Sequence, residues 1–308
     1  MQKQIEEAEQ QEAMERRLKE MELKNKQAAE ALEFARKKKE EWRARKKTEL
    51  IHVKTYLGRL RPIFDAIATI NSECRLTFKE DSIEYRGVDP AHVMLVDIKI
   101  TPKSAFAEYN YNGNEVKAHD VGINVDKMLS LLKRRKTKGL MMGLDKYTDD
   151  DNIYVSWETG YGKHIRVLGQ VDTAGIPESK IPRLGLPASF NVNTKELLEF
   201  LKEAEKVSDH FAIEAYPDGV RFFAEGDEDE VEYRPIPKGL KIEHDFKSLF
   251  SVDYSILAIK NALPFFHTLK ISIGTDNPVM ISGEVEGEAF NDPSIEMTEL
   301  LAPRIESE

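Results

Sequence analysis

The sequence contains few chemically reactive side chains at the spacing of a known catalytic or metal site. The 7 histidines are scattered, and none falls in the HxxH or HExxH spacing that directs two imidazoles at one zinc ion. The segment GYGKH at 160–164 lacks the long glycine loop that binds phosphate, and a hairpin turn explains it. Local sequence therefore predicts neither a zinc centre nor a nucleotide site.

Two acidic clusters and one cysteine remain as candidate reactive groups. Carboxylate clusters occur at 149–151 and 227–230, and carboxylates are the kind of ligand that metal-dependent phosphoryl chemistry uses. Both clusters fall at expected loop tips, where charge is usually solvated. Cys74 is the only cysteine, and the strand expected around it predicts a buried, unreactive thiol. We therefore expect a protein that is not an enzyme and has no catalytic residue, no metal and no cofactor.

The charge is divided unevenly along the chain. Residues 1–50 hold 14 Lys or Arg and 12 Asp or Glu, which leaves 31 against 43 for the rest of a chain whose net charge is -10. Phosphate contact needs a local positive potential, so only a localised basic face of this acidic body would bind nucleic acid.

No apolar run reaches the length of a membrane span. The start of the chain is too charged for a signal peptide, and we expect an intracellular protein.

One pattern occurs four times, a strand followed directly by an amphipathic helix. The copies open at positions 51, 123, 190 and 250, and in each the apolar positions alternate and then change to three-and-four spacing. Asp126, Asn193 and Asp253 mark the change in three copies and are expected to cap the helix. In the first copy, Pro62 predicts a late helix start near Arg61. The intervals between these four openings are too long for a solenoid repeat and suit a duplicated domain.

The rest of the pattern completes two similar α+β domains. Hairpin-like segments at 75–89 and 211–227 follow the first and third helices and match each other. Residues 167–182 hold two Gly and two Pro and indicate an extended connector. The first fifty residues hold neither Pro nor Gly, which predicts an exposed charged helix. The expected organisation is a charged helical extension at 1–50, domains at 51–166 and 183–308, and the connector at 167–182.

Four segments together resemble the sliding clamp family called proliferating cell nuclear antigen (PCNA), especially its archaeal members. They are EYRGVDPAHVMLVDIKI at 84–100, TAGIPESKIP at 173–182, GTDNPVMISGEV at 274–285 and LLAPRIESE at 300–308. The segments come in the family's order, with the strand–helix repeats at the expected places, so their combination is specific. The resemblance covers residues 51–308 and leaves the extension without a counterpart.

The resemblance implies a ring-shaped homotrimer, with antiparallel sheets outside and four helices per subunit lining the hole. Such a ring encircles duplex DNA without regard to sequence and acts as a processivity factor in replication and repair. Its implied partners are DNA polymerase, the clamp loader, ligase and nucleases, which bind through short peptides. The protein is expected with the replicating DNA, in the cytoplasm or nucleoid of a prokaryote or the nucleus of a eukaryote.

The same resemblance implies three sets of site residues. The DNA-facing set is basic and lies on or beside the four helices: Arg59, Arg61, Lys127, Lys133, Arg134, Arg135, Lys136, Lys138, Lys195, Lys202, Lys206 and Lys260. The peptide-pocket set is mostly apolar: Val88, His92, Val93, Ile176, Pro177, Pro278, Leu300, Pro303 and Ile305. The subunit-interface set lies on two strands of opposite charge: Lys163, Ile165, Arg166, Glu230, Val231 and Glu232.

Two other interpretations stay open at this point. A nucleic-acid enzyme on a duplicated α+β scaffold would hold a metal with the aspartate clusters, and a metal-dependent nuclease assay would reveal it. A clamp-like checkpoint subunit would be a monomer that joins different partners. The oligomeric state of the pure protein separates that interpretation from a homotrimer.

Overall fold

The chain forms two compact units, Met1–Thr48 and Glu49–Glu308. The computed structural model describes Lys26, Glu33 and residues 49–113, 116–133, 139–177, 179–236, 238–242, 244–283 and 292–304. In the first unit, Lys26 and Glu33 are helical and exposed. The bounds of the extension, the two domains and the connector stay predictions. Within the described ranges, no helix is long and apolar enough to cross a membrane.

Among its described residues, the second unit contains strands and helices, and its first nine strands come before residue 170. They are β1 Glu49–Tyr56, β2 Glu73–Lys79, β3 Ile83–Val88, β4 Met94–Ile100, β5 Glu108–Tyr111, β6 Ala118–Asn124, β7 Met141–Tyr147, β8 Asn152–Thr159 and β9 Gly162–Gly169. Nine more follow: β10 Ala188–Asn193, β11 His210–Tyr216, β12 Gly219–Glu225, β13 Glu230–Tyr233, β14 Lys238–Lys241, β15 Phe246–Ser251, β16 Thr268–Ile273, β17 Val279–Gly283 and β18 Ile295–Leu301. The helices are α1 Leu57–Ala68, the short α2 Pro102–Ala105, α3 Val125–Lys133, α4 Thr194–Val207 and α5 Val252–Ala262, with a 3-10 turn at Thr173–Gly175.

These strands build three antiparallel sheets. Five strands pair in the order β5-β1-β7-β8-β9, nine in the order β14-β10-β16-β17-β18-β4-β3-β2-β6, and four in the order β13-β12-β11-β15. The nine-stranded sheet is continuous through both halves of the unit because β18 pairs with β4 over seven residues. The predicted α+β class with antiparallel sheets is confirmed, and so are the hairpins β2–β3 and β11–β12.

The four long helices pack side by side in the order α3, α1, α5 and α4. Each buries the apolar face that its sequence predicts, as α4 does with Leu197, Leu198 and Leu201. These side chains join a hydrophobic core that is shared with the strands. The opposite face of each helix is left for polar side chains, as three-and-four spacing requires.

The helix starts agree only in part with the predicted caps. Asn193 caps α4 as expected, because its Oδ1 accepts from two backbone N–H groups of the first turn at 3.0 and 3.2 Å. The caps predicted at Asp126 and Asp253 are wrong, because both lie inside the first turn. Before α3, Asn124 accepts instead from the Lys127 N–H at 2.9 Å. The two aspartates still favour their helices through the helix dipole.

The late start predicted for the first helix near Arg61 is also wrong. Helix α1 begins at Leu57 and contains Pro62. Proline lacks the N–H that would bond to the Gly58 carbonyl, yet the first turn forms because it is held from outside the helix. The Leu57 N–H donates to the Leu140 carbonyl at 2.8 Å, and the Leu57 side chain is buried.

Candidate functional site

The acidic cluster at 149–151 serves the turn between β7 and β8. The Asp150 carboxylate accepts from the Asn152 N–H at 3.0 Å and from the Tyr154 hydroxyl at 2.7 Å. Asp149 takes a left-handed backbone, with φ of 58°, which is tolerated best by Asp, Asn and Gly in tight turns. The described contacts of this cluster are therefore those of a hairpin turn.

Two further reactive groups have structural explanations. Cys74 is buried, and burial raises the pKa of its thiol to about 12, so the predicted unreactive cysteine is confirmed. Among the described residues, donor atoms of three metal-ligating side chains approach one another only at Glu49, His52 and Asp145. Sequence spacing did not reveal this group, because β1 and β7 bring it together. The His52 Nδ1 lies 2.6 Å from the Asp145 Oδ1, which accounts for the approach as a hydrogen-bonded pair.

The long helices carry exposed lysines on the face that points away from the core. Four of them form no ion pair with another described residue: Lys127, Lys195, Lys202 and Lys260. Lys206 is also exposed, but its Nζ bonds to both oxygens of Glu203 at 2.7 Å. Exposed pairs of this kind are weak, so Lys206 can exchange its carboxylate for another anion.

The arginines of the predicted DNA-facing set are less free. Arg59 is paired with Asp292, and its side chain is 30% exposed. Desolvation lowers the pKa of Arg59. Arg61 and Lys133 share one carboxylate, that of Asp65, at 3.3 and 3.4 Å. Four other members of the set lie outside the described residues: Arg134, Arg135, Lys136 and Lys138.

Strand β9 is the last strand of its sheet and carries the basic half of the predicted interface. Most of its length is exposed. Ile165 and Val167 are 57% and 46% exposed, and Lys163 and Arg166 are exposed beside them. The unpaired N–H and C=O groups of such an edge are a template for another strand.

Strand β13 ends the four-stranded sheet and carries the acidic half. Glu230 is exposed and Val231 is half-buried. The Glu232 carboxylate accepts from the Arg221 Nε at 2.7 Å and also contacts Arg234. Part of the negative charge predicted for this edge is therefore compensated on its own sheet.

The connector runs past β2 and β3 and leaves a groove of about 580 Å³ beside it. Of the predicted pocket set, this groove is lined by Val88, His92, Ile176 and Pro177. Three half-buried members and one buried member do not line it: Val93, Pro278, Pro303 and Leu300. Ile305 lies outside the described residues.

Asp89 organises the loop between β3 and β4 that forms one wall of the groove. It is 5% exposed, and its carboxylate accepts from three backbone N–H groups of the loop at 2.6 to 3.1 Å. The Tyr254 hydroxyl of α5 lies 3.3 Å from the same carboxylate. These bonds hold His92 at a φ of 57°, a left-handed backbone that costs about 1 to 2 kcal/mol. Sequence reasoning missed Asp89, although Asp before Pro is a known turn signal.

The residues that follow β18 are attached to the loop between β3 and β4 and to two positions farther along the chain. The Ala302 N–H donates to the Val93 carbonyl at 2.8 Å, and the Arg304 N–H donates to the Leu249 carbonyl at 2.7 Å. The Arg304 guanidinium lies 2.6 Å from Asp209 and lowers the pKa of that carboxyl to about 2. Sequence reasoning did not predict these anchors, because their partners are distant along the chain.

Proteins of known sequence resemble this chain over most of its length. It is 30% identical over 253 residues to the DNA polymerase sliding clamp of Archaeoglobus fulgidus, across 81% of this chain and 96% of the relative. The chain belongs to the DNA polymerase sliding clamp family. The sliding clamp of Methanocella arvoryzae is 32% identical over 250 residues, across 79% and 94% of the two chains. No family model matches this clamp.

Solved structures agree with the sequence comparison. The structure of the C-terminal region of FEN-1 bound to A. fulgidus PCNA superposes on this clamp with a TM-score of 0.71, at 28% identity, across 84% of this chain and 100% of that one. PCNA of Thermococcus kodakaraensis gives a TM-score of 0.71 at 21% identity, across 82% and 100%, and supports the fold alone. The predicted family is therefore confirmed.

Proposed function

We propose that this clamp is a ring-shaped homotrimer that encircles duplex DNA, serves as a processivity factor in replication and repair, and has no catalytic activity of its own. The observation that carries the proposal is the helix layer, whose exposed face carries four lysines that form no ion pair with another described residue. The chain as a whole has a net charge of -10. These lysines would attract phosphate to the layer, although α4 also carries the exposed Glu196, Glu199, Glu203 and Glu205, while the acidic remainder of the surface would repel phosphate.

The proposed partners are DNA polymerase, the clamp loader, ligase and nucleases, each docking a short peptide beside the connector. The A. fulgidus PCNA structure supports this, because it holds the C-terminal region of FEN-1. In the present clamp, the groove lined by His92 and Ile176 has a volume of about 580 Å³, which would take an apolar or aromatic anchor, the kind of side chain that dominates peptide docking. The protein would act where DNA is replicated.

Ring closure would pair β9 of one subunit with β13 of the next, a head-to-tail contact that closes by rotation. Lys163 and Arg166 would then face Glu230 and Glu232. Main-chain bonds and the exposed Ile165 would contribute most of the stability, since exposed ion pairs contribute little. Each subunit would consist of domains 51–166 and 183–308 and the connector 167–182.

A salt titration tests the DNA-facing helices. Changing Lys202 and Lys260 together to Ala should weaken binding to duplex DNA. The slope of log affinity against log salt should fall by about 0.9 for each phosphate that the variant no longer neutralises. The matched control removes the same charge from exposed lysines on strands, Lys247 and Lys270, and should keep the parent's slope.

Two results would contradict the proposal. Equal slopes for the helix variant and its control would mean that the helix lysines do not touch phosphate. A monomer at every concentration, measured by light scattering on the parent protein, would contradict the ring and favour a clamp-like checkpoint subunit.

A further inference from the structure

An arginine side chain contacts the connector from the sheet beneath it. Arg75 lies on β2, and its side chain is 18% exposed. Its Nη2 donates to the carbonyl oxygen of Thr173 at 3.2 Å and to that of Ile176. Its Nη1 lies 3.9 Å from the Asp120 Oδ2 on β6. The guanidinium therefore spans the 3-10 turn of the connector and is oriented by a carboxylate.

The connector is attached at its start by other contacts. The Val171 N–H donates to the Gly122 carbonyl at 3.0 Å, and a Cβ on Gly122 would lie 2.0 Å from the Val171 carbonyl oxygen. Only glycine permits this approach. Asp172 then caps the turn by accepting from the Ala174 N–H at 2.9 Å. After Ile176, the described residues before β10 belong to no helix or strand.

We propose that Arg75 is a positioning residue for the peptide groove, whose hydrogen bonds set the height of Ile176 above β2 and β3. The inference rests on the proposed function of that groove. Arg75 and Ile176 line both the groove and a neighbouring cavity of about 370 Å³ along the same strands. The connector thus has open space on two sides, and the guanidinium keeps Ile176 from moving into either.

The chemistry of arginine suits this role. Its planar guanidinium places Nη2 against two carbonyl oxygens while Nη1 faces the Asp120 carboxylate, whereas a lysine ammonium has the same charge on a single nitrogen. Arg86 offers a matched control, because it lines the same two spaces. Its Nε, however, bonds to Asp97 at 2.6 Å and not to the connector.

The test compares Arg75→Ala, Arg75→Lys and Arg86→Ala in the full chain. Lys99→Ala is the control for affinity, because Lys99 is exposed on β4, lies 3.2 Å from Glu296 and lines neither space. Calorimetry with a synthetic peptide of the A. fulgidus FEN-1 C-terminal region should show affinity falling about tenfold for Arg75→Ala, or about 1.4 kcal/mol. Arg75→Lys should lie between this variant and the parent, and Lys99→Ala should match the parent. Where Arg75→Ala fails to fold, Arg75→Lys carries the comparison, since it retains the charge.

Hydrogen exchange separates the positioning role from the proposed function. Amides at 173–176 should exchange faster in Arg75→Ala than in the parent, and Arg86→Ala should leave them unchanged. Unchanged exchange in Arg75→Ala, or an equal affinity loss in Lys99→Ala, would overturn the inference while the peptide site stands. A parent that does not bind the peptide would overturn the proposed site. Faster exchange in Arg75→Ala would then still identify Arg75 as the attachment of the connector.

Discussion

Replacing Glu299 by glutamine should change how the stability of this clamp depends on pH. Glu299 lies on β18 within the nine-stranded sheet and is fully buried. Its Oε1 accepts from Asn261 of α5 at 3.0 Å, whereas its Oε2 has no hydrogen-bond partner in the described part of the chain. Burial raises the pKa of Glu299 to about 8, and the Asn261 bond offsets only part of that rise. The side chain is therefore mostly protonated at pH 7.

The size of the effect follows from the two pKa values. The ordinary value is 4.5, so unfolding at any pH between 4.5 and about 8 releases a proton. The stabilisation from Glu299 is complete below pH 4.5, and each pH unit up to about 8 removes about 1.4 kcal/mol from the free energy of unfolding. The total loss is roughly 5 kcal/mol. Glutamine stays neutral. The free energy of unfolding of the Glu299→Gln variant should therefore rise relative to that of the parent by about 1.4 kcal/mol per pH unit over this range.

Urea unfolding at pH 5, 6, 7 and 8 measures this difference. The protein concentration must be the same throughout, because subunit association adds to the apparent stability. Any cost of the amide's own hydrogen bonds is independent of pH and leaves the slope unchanged. Glu296→Gln is the control, since Glu296 is exposed on the same strand, 3.2 Å from Lys99. A difference between Glu299→Gln and the parent that stays constant from pH 5 to 7 would refute the reasoning.

Three further predictions concern other parts of the molecule. Arg166→Glu should bring like charges together at the proposed subunit contact and lower the trimer fraction in a light-scattering dilution series; an unchanged trimer would mean that the contact lies elsewhere. Asp89→Ala should release the His92 loop and weaken the FEN-1 peptide about tenfold, which calorimetry can measure; parent-like affinity would exclude the loop from the site. Cys74 should resist a thiol reagent at pH 8 until urea unfolds the chain, because its pKa is raised to about 12; rapid labelling of the native protein would contradict its burial.

Features that depend on neighbours in sequence were largely predictable. The four strand–helix units follow from the change of apolar spacing, since one face of each element must reach the core. The Asn193 cap was also visible in the sequence, because its hydrogen bonds reach only two and three residues ahead. The start of α1 was not, because the Leu140 carbonyl that holds Leu57 lies far along the chain.

The sequence indicated the residue types of the candidate site but not the partners of those residues. The sequence indicates that Arg59 is basic, but not that Asp292 pairs with it from across the fold. Glu299 shares the face of Ile295, Met297 and Leu301 in β18, so alternation predicts a buried position, but the sequence does not indicate that Asn261 of α5 is its partner. Such pairings depend on packing between distant elements, which local periodicity does not contain.

The continuous pairing of β18 with β4 has a mechanical consequence. Seven consecutive residue pairs join the two halves of the second unit. A force that pulls these halves apart is shared by all the main-chain hydrogen bonds of this pairing, so they must break almost together. The exposed edge strand β13 is only four residues long. If the proposed ring were stretched, the shorter β9–β13 contact between subunits would separate before the β18–β4 pairing within each subunit. Opening of the ring for DNA would then depend on the contact between subunits. Changes in β9 and β13 would alter how readily the ring opens without weakening the pairing within a subunit.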